Sequence, residues 1–182
     1  MTHYLSLQVL SVVEMKGKKS SPSYLQKSIR FQGRMYTIYH RGGYTTVPPS
    51  TMNLLVLNCR GLKNLRTGKE LEVVIRTKDP SIVFLDETWA DEARLKDIQR
   101  NINFENLFFV ERNTRGGGLA LHWKNSLDLH VESSSKNHID SIINKGRDEA
   151  WRFTGLYGEP DTYRRSEAWN RLRLLNSSFQ LP

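Results

Sequence analysis

Polar side chains stand at the ends of three short apolar segments of this chain. Asn58 follows the run Met52–Leu57, Glu87 comes shortly after Ile82–Leu85, and Tyr157 ends a third β-prone stretch. Because α/β sheets hold their ligands where strands end, we expect the three side chains to face one crevice. An amide and a carboxylate are hard oxygen ligands, of the kind that holds Mg²⁺ with several waters retained. Such an ion polarises a phosphoryl oxygen, so the chemistry open to this set is phosphodiester cleavage.

Each of these residues also has a simpler interpretation. Asn58 could cap a turn. Glu87 could be a solvated acid at a strand end or in the first turn of a helix. Tyr157 could be an aromatic residue at the rim of the domain. Taken one at a time, the residues leave both interpretations open.

Apolar periodicity predicts the elements that would position these side chains. The order begins β-α-β-α and continues as a series of short strands. The predicted strands are Met52–Leu57, Ile82–Leu85, Phe108–Glu111, Gly118–Trp123, Leu127–Ser133, His138–Ile143 and Trp151–Tyr157, and the predicted helices are Thr67–Lys78, Asp91–Ile102 and Tyr163–Asn176. Helices that flank twisted strands are typical of a layered α/β or α+β domain.

The composition limits the class of protein. The 182 residues are 38% hydrophobic and 25% charged, which is typical of a globular domain. No run of about 18 apolar residues occurs, so we expect no membrane span. The single cysteine, Cys59, excludes an intrachain disulfide framework and a cysteine-cluster metal site, and it favours an intracellular protein.

The positive charge is concentrated near the N-terminus. The net charge is +8, and residues 1–50 carry seven Lys/Arg against one acidic residue, Glu14. Pro48 and Pro49 then favour an extended linker. The sequence therefore predicts a basic, poorly ordered arm at 1–50 and a domain at 51–182. The arm could bind nucleic acid, or it could be a leader with no function of its own.

Four segments carry a family resemblance. They are Leu57–Leu62, Asp79–Thr88, Gly116–Trp123 and Arg152–Pro160. In this order they resemble the endonuclease/exonuclease/phosphatase superfamily, which has the DNase I-like fold, and above all the endonuclease domain of plant LINE-type retrotransposons. The resemblance implies a four-layer α/β sandwich. We expect this chain to form an incomplete version, mainly the first β-sheet with its flanking helices.

The resemblance also implies roles for the residues at the strand ends. Asn58 matches an asparagine that orients the phosphate and the metal. Glu87 matches the principal ligand of Mg²⁺, for which Mn²⁺ can substitute. Tyr157 stands near a tyrosine that contacts the scissile phosphate. The implied cofactor is therefore Mg²⁺, with no small-molecule cofactor.

DNA is the partner that the resemblance implies, and three arginines are candidates to bind it. Arg60 stands where apurinic-type members carry an aspartate, so a phosphate contact would replace a metal contact. Arg164 and Arg165 belong to the last predicted helix. Access to chromosomal DNA would require a nuclear location.

The expected activity is Mg²⁺-dependent hydrolysis of DNA phosphodiester bonds, in a form that has lost turnover. The family carries a Gly-Asp-x-Asn motif and a later Ser-Asp-His motif that activates water. Neither follows Tyr163 in this chain. We therefore expect an inactive remnant of an endonuclease. The alternatives are a non-catalytic nucleic-acid-binding module, a sugar or lipid phosphatase of the same superfamily, and a product without function.

Overall fold

Ten strands and two helices form a mixed α+β structure in the computed structural model, which describes residues 11–17, 23–31, 34–42, 53–111, 117–147, 150–157 and 170. The elements are β1 Ser11–Gly17, β2 Ser23–Phe31, β3 Arg34–Gly42, β4 Asn53–Asn58, α1 Leu65–Lys78, β5 Ile82–Asp86, α2 Glu92–Ile102, β6 Asn106–Val110, β7 Leu119–Trp123, β8 Leu129–Ser135, β9 His138–Ile143 and β10 Trp151–Tyr157. In the described part of the chain, no helix is long and apolar enough to span a membrane.

The larger sheet has six strands in the order β2-β3-β4-β5-β7-β6. Strands β4 and β5 run parallel and are joined by α1, whereas the other neighbours in this sheet are antiparallel. The register pairs Asn58 with Asp86. Both parallel strands therefore end at the same edge of the sheet, as their order in the sequence predicted.

Helix α1 begins two residues before its predicted start because Asn64 caps it. The Asn64 side chain accepts a hydrogen bond from the amide of Arg66 at 2.9 Å, which satisfies one of the free amides of the first turn. Asp79 ends the helix in a left-handed conformation. Leu71, Val74 and Ile75 would otherwise remain exposed, and their burial fixes the helix on the sheet.

Helices α1 and α2 cover one face of the six-stranded sheet and form the helix-side core. Its fully buried members include Leu71, Leu95 and Val83. His122 of β7 lies close by, with its ring at 6.2 Å from that of Phe104 in a T-shaped contact. Neither ring nitrogen of His122 has a hydrogen-bond partner among the described residues, and burial lowers the pKa of this histidine to about 3. The ring is therefore neutral at ordinary pH.

The second sheet has four strands in the order β1-β10-β9-β8 and packs on the opposite face of the larger sheet. The inter-sheet core contains Phe84 of β5 and Phe153 of β10, whose rings meet edge to face at 5.9 Å. Gly155 makes this approach possible, since a Cβ there would stand 2.4 Å from the Phe84 ring. Strands β1 and β8 to β10 thus form a second sheet of four strands, whereas the sequence predicted mainly the first sheet.

The described residues before position 50 form strands, where the sequence predicted a poorly ordered arm. Strand β1 pairs with β10 from Ser11 opposite Tyr157, and β3 pairs with β4 from His40 opposite Asn53. These pairings satisfy backbone groups along one side of β4 and of β10 that would otherwise form open sheet edges. The hydrogen-bond ladders therefore cross the predicted boundary at residue 50. The predicted helix Tyr163–Asn176 lies outside the described residues, except for Asn170.

Candidate functional site

Two loops lie side by side where the parallel strands end. The backbone amide of Gly61 donates to the carbonyl of Glu87 at 2.8 Å, and that of Leu62 donates to the carbonyl of Thr88 at 2.7 Å. We call residues 59–62 and 87–90 the strand-end loops. Since backbone hydrogen bonds hold one loop to the other, side chains carried by both are kept close to each other.

A hydrogen bond between side chains joins the two sheets at this edge. The hydroxyl of Tyr157, at the end of β10, donates to Oε1 of Glu87 at 2.6 Å. Both residues are half-buried. The Glu87 carboxylate makes no other hydrogen bond or ion pair within the described residues, so Oε2 stays available. The structure therefore brings together two residues that the sequence singled out 70 positions apart.

Asn58 lies at the same strand end with its carboxamide unsatisfied. Its Oδ1 and Nδ2 are both buried, and neither has a hydrogen-bond partner among the described residues. An unsatisfied buried polar group costs roughly 1–3 kcal/mol, so a partner from outside the chain would recover free energy. A turn cap would have satisfied the amide, and the simpler interpretation of Asn58 is therefore wrong.

Thr88 adds a polar group that the sequence reasoning did not select. Its side-chain hydroxyl is buried and also lacks a partner in the described part of the chain. In the sequence, only the position of Thr88 directly after Glu87 could have indicated a role in the site. Two consecutive polar residues at a strand end are typical of an ordinary turn, and Thr88 was therefore not selected.

The strand-end loops are strained. Arg60, Glu87 and Trp89 have φ angles of 47°, 47° and 48°, in the left-handed region that favours glycine. Each such residue costs on the order of 1–3 kcal/mol, and strain of this kind concentrates at binding and catalytic sites. None of the three types signals a left-handed turn in a sequence, so the backbone geometry had to come from the structure.

Of the three arginines that the sequence predicted to bind DNA, the structure describes one, Arg60. Arg60 lies in the first strand-end loop with its side chain exposed, next to Gly61. It therefore adds an exposed positive charge to the loop whose Gly61 amide is bonded to the Glu87 carbonyl. Arg164 and Arg165 lie outside the described residues.

The oxygen atoms of Glu87 and Asn58 are the ligands that a metal ion would find at this strand end. No group of three or more His, Cys, Asp or Glu side chains that could hold a metal occurs among the described residues. Mg²⁺ commonly uses one or two carboxylates and takes its other ligands from water and substrate phosphates. Oε2 of Glu87 and the free carboxamide of Asn58 suit that mode of binding.

His138 and Asp140, which form a local His-x-Asp sequence, serve the second sheet. Nδ1 of His138 lies 2.6 Å from the hydroxyl oxygen of Ser135. Asp140 accepts hydrogen bonds at 2.7 Å from Nε and Nη2 of Arg152 and from the hydroxyl of Thr154. We call this the Asp140–Arg152 pair. Its contacts are structural, as is usual for a histidine or a paired acid within a sheet.

No protein-family model matches this sequence, and no significant match to it is found among curated proteins.

Proposed function

We propose that the strand-end loops bind a divalent cation and the phosphodiester backbone of DNA, as the site of an endonuclease/exonuclease/phosphatase domain. The observation that carries this proposal is the Tyr157–Glu87 hydrogen bond beside the unsatisfied carboxamide of Asn58. The hydrogen bond from Tyr157 orients the Glu87 carboxylate, as binding of a cation would require. The buried carboxamide of Asn58 would gain a hydrogen-bond partner from the phosphate that accompanies the cation.

Each residue has a distinct task in the proposed site. Mg²⁺, when bound, would supply charge that polarises a phosphoryl oxygen. Glu87 would hold the ion through Oε2, while Tyr157 keeps the carboxylate in one orientation through Oε1. The Nδ2 of Asn58 can donate to a phosphate oxygen, and its Oδ1 can accept from a water molecule. Arg60, exposed beside them, attracts the negatively charged backbone.

The layers of the molecule support the DNase I-like sandwich as part of the proposal. Two helices lie over the six-stranded sheet, and the four-stranded sheet packs on its other face. The proposed site lies at the edge where both sheets contribute a side chain. A retrotransposon origin and a nuclear location belong to the same proposal, since chromosomal DNA would be the substrate.

Glu87→Gln is expected to weaken cation binding about tenfold or more, because a neutral amide replaces the charged ligand. Mn²⁺ serves as the probe, since its electron paramagnetic resonance signal decreases when the ion is bound. Glu132→Gln is the matched control, because this carboxylate lies on β8 and pairs with Lys145 at 2.7 Å. Equal Mn²⁺ affinity in the wild type and Glu87→Gln would refute the cation site.

The 182 residues of this sequence are expected to bind DNA without cleaving it. Hydrolysis requires a positioned base that activates water, and losing such a group costs on the order of 10²- to 10⁴-fold in rate. The sequence has no Gly-Asp-x-Asn or Ser-Asp-His motif to supply it. Supercoiled plasmid incubated with Mg²⁺ should therefore be nicked no faster by the wild type than by Glu87→Gln.

Two outcomes of the plasmid experiment separate the candidate functions. DNA binding that depends on salt but neither on Mg²⁺ nor on Glu87, without nicking, would favour the non-catalytic nucleic-acid-binding module, since phosphate contacts release counterions. Nicking that needs Mg²⁺ and disappears in Glu87→Gln would show a working nuclease and overturn the expectation of lost turnover.

A further inference from the structure

Trp89 combines exposure with a backbone conformation that a bulky residue rarely adopts. Its φ angle is 48°, and 42% of its surface is exposed. A left-handed conformation in a bulky residue is a true outlier. The strained backbone therefore carries an indole that is partly open to solvent.

Backbone contacts hold this exposed ring in position. The amide of Trp89 donates to the carbonyl of Gly117 at 3.0 Å. The ring lies over Gly61, where a Cβ would stand 3.1 Å from Cε3 of the indole. Gly61 itself is tied to Glu87 through its amide at 2.8 Å. The backbone at Trp89 is thus tied to a neighbouring segment, and the indole packs against Gly61.

The position of the ring relates it to the proposed phosphate site. Trp89 is two residues beyond Glu87, and the glycine beneath its ring follows the exposed Arg60. The loop that carries the indole therefore also carries the carboxylate that would hold the ion, and the loop bonded to it carries an exposed cation. A nucleotide presents the matching chemistry, with a phosphate joined through a sugar to a planar base.

We infer that Trp89 is a stacking platform for a single unpaired base, next to the phosphate bound at Glu87 and Asn58. The inference rests on the proposed function, because the phosphate anchors the strand whose base reaches the indole. A base inside an intact duplex is already stacked and cannot offer its face to the ring. The site therefore prefers single-stranded or locally unpaired DNA to a continuous duplex. A nucleic acid suits this position better than an apolar protein surface, since the exposed indole has Arg60 beside it and the net charge is +8.

The test compares one twelve-nucleotide strand with the same sequence in a duplex, using fluorescence anisotropy in the presence of Mg²⁺. Trp89→Ala is expected to weaken binding of the single strand about 5- to 150-fold, the usual effect of losing one base-stacking partner. Duplex binding should change less than about twofold. Trp89→Phe should retain part of the affinity because it keeps a smaller aromatic ring. Leu65→Ala, at another exposed apolar residue, is the control and should leave both affinities unchanged.

Mn²⁺ titration of the same variants distinguishes failure of this inference from failure of the proposed function. Trp89→Ala should bind Mn²⁺ as the wild type does, which also shows that the site is folded. If Trp89→Ala binds the single strand as tightly as the wild type while Mn²⁺ binding is intact, the stacking inference is wrong and the cation site stands. If the wild type binds neither Mn²⁺ nor either form of DNA, both are wrong. Oligomerisation of the wild type that Trp89→Ala abolishes, with unchanged DNA affinity, would assign the ring to a contact between copies and overturn the inference.

Discussion

Asp140→Asn is expected to lower the free energy of unfolding by about 3–5 kcal/mol, because it leaves Arg152 charged in a buried position. The Arg152 side chain is 8% exposed and that of Asp140 is 2% exposed. Two parallel hydrogen bonds of 2.7 Å join them, and Thr154 donates a third to the same carboxylate. Asparagine keeps the shape but removes the charge and one acceptor. Urea unfolding followed by circular dichroism measures the change.

Two further variants test whether the loss of stability comes from the buried charge. Lys145→Met breaks the ion pair with Glu132, in which the lysine side chain is 48% exposed, and should cost no more than about 1 kcal/mol. The double variant Asp140→Leu/Arg152→Met removes both charges and should recover most of the stability lost in Asp140→Asn. A double variant no more stable than Asp140→Asn would show that packing, and not the loss of the Asp140 charge beside Arg152, accounts for the loss of stability.

His122→Leu is expected to raise the free energy of unfolding by about 1–3 kcal/mol at pH 7, because leucine removes two buried nitrogens that have no hydrogen-bond partner in the described parts of the chain. The gain should grow as the pH falls. The folded protein holds His122 neutral, with a pKa near 3, whereas the unfolded chain takes up a proton below about pH 6.5. Acid therefore favours the unfolded wild type by about 1.4 kcal/mol per pH unit between those values.

The measurement is the difference in unfolding free energy between His122→Leu and the wild type at pH 7, 6, 5 and 4. His130→Gln is the control, since this histidine is exposed on β8 and lies 2.9 Å from Asp128. The difference for His122→Leu should widen by about 3 kcal/mol from pH 7 to pH 4. A difference that stays constant with pH would mean that the ring is protonated, or solvated, in the folded state.

The sequence predicted the part of the site that local pattern controls. Asn58 and Glu87 end two strands joined by one helix, and parallel strands connected in this way end at the same edge. Their proximity therefore follows from periodicity alone. The boundaries of β9 and β10 also agree with the prediction, because Gly, Asn and Ser residues punctuate the chain there.

The remaining features depend on partners far away in the sequence. Nothing local to Tyr157 shows that its hydroxyl reaches Glu87, since that contact requires the two sheets to pack first. The pairing of β1 with β10 joins residues 11 and 157, which a local pattern cannot indicate. In the sequence, His122 is one polar position in an apolar strand. Only the tertiary structure shows that its ring is buried against Phe104, with no hydrogen-bond partner among the residues that the structure describes.

At the left-handed positions of the strand-end loops, a substitution that raises stability is expected to weaken the proposed function. Directed evolution of this chain would therefore meet a conflict between the two. Glycine or asparagine would relieve the strain at Arg60, Glu87 and Trp89, so a selection for heat resistance alone should enrich these types at all three positions. Each replacement would also remove a charge or a ring from the proposed site. The residue types that survive at 60, 87 and 89 would therefore record which selective pressure the population had experienced.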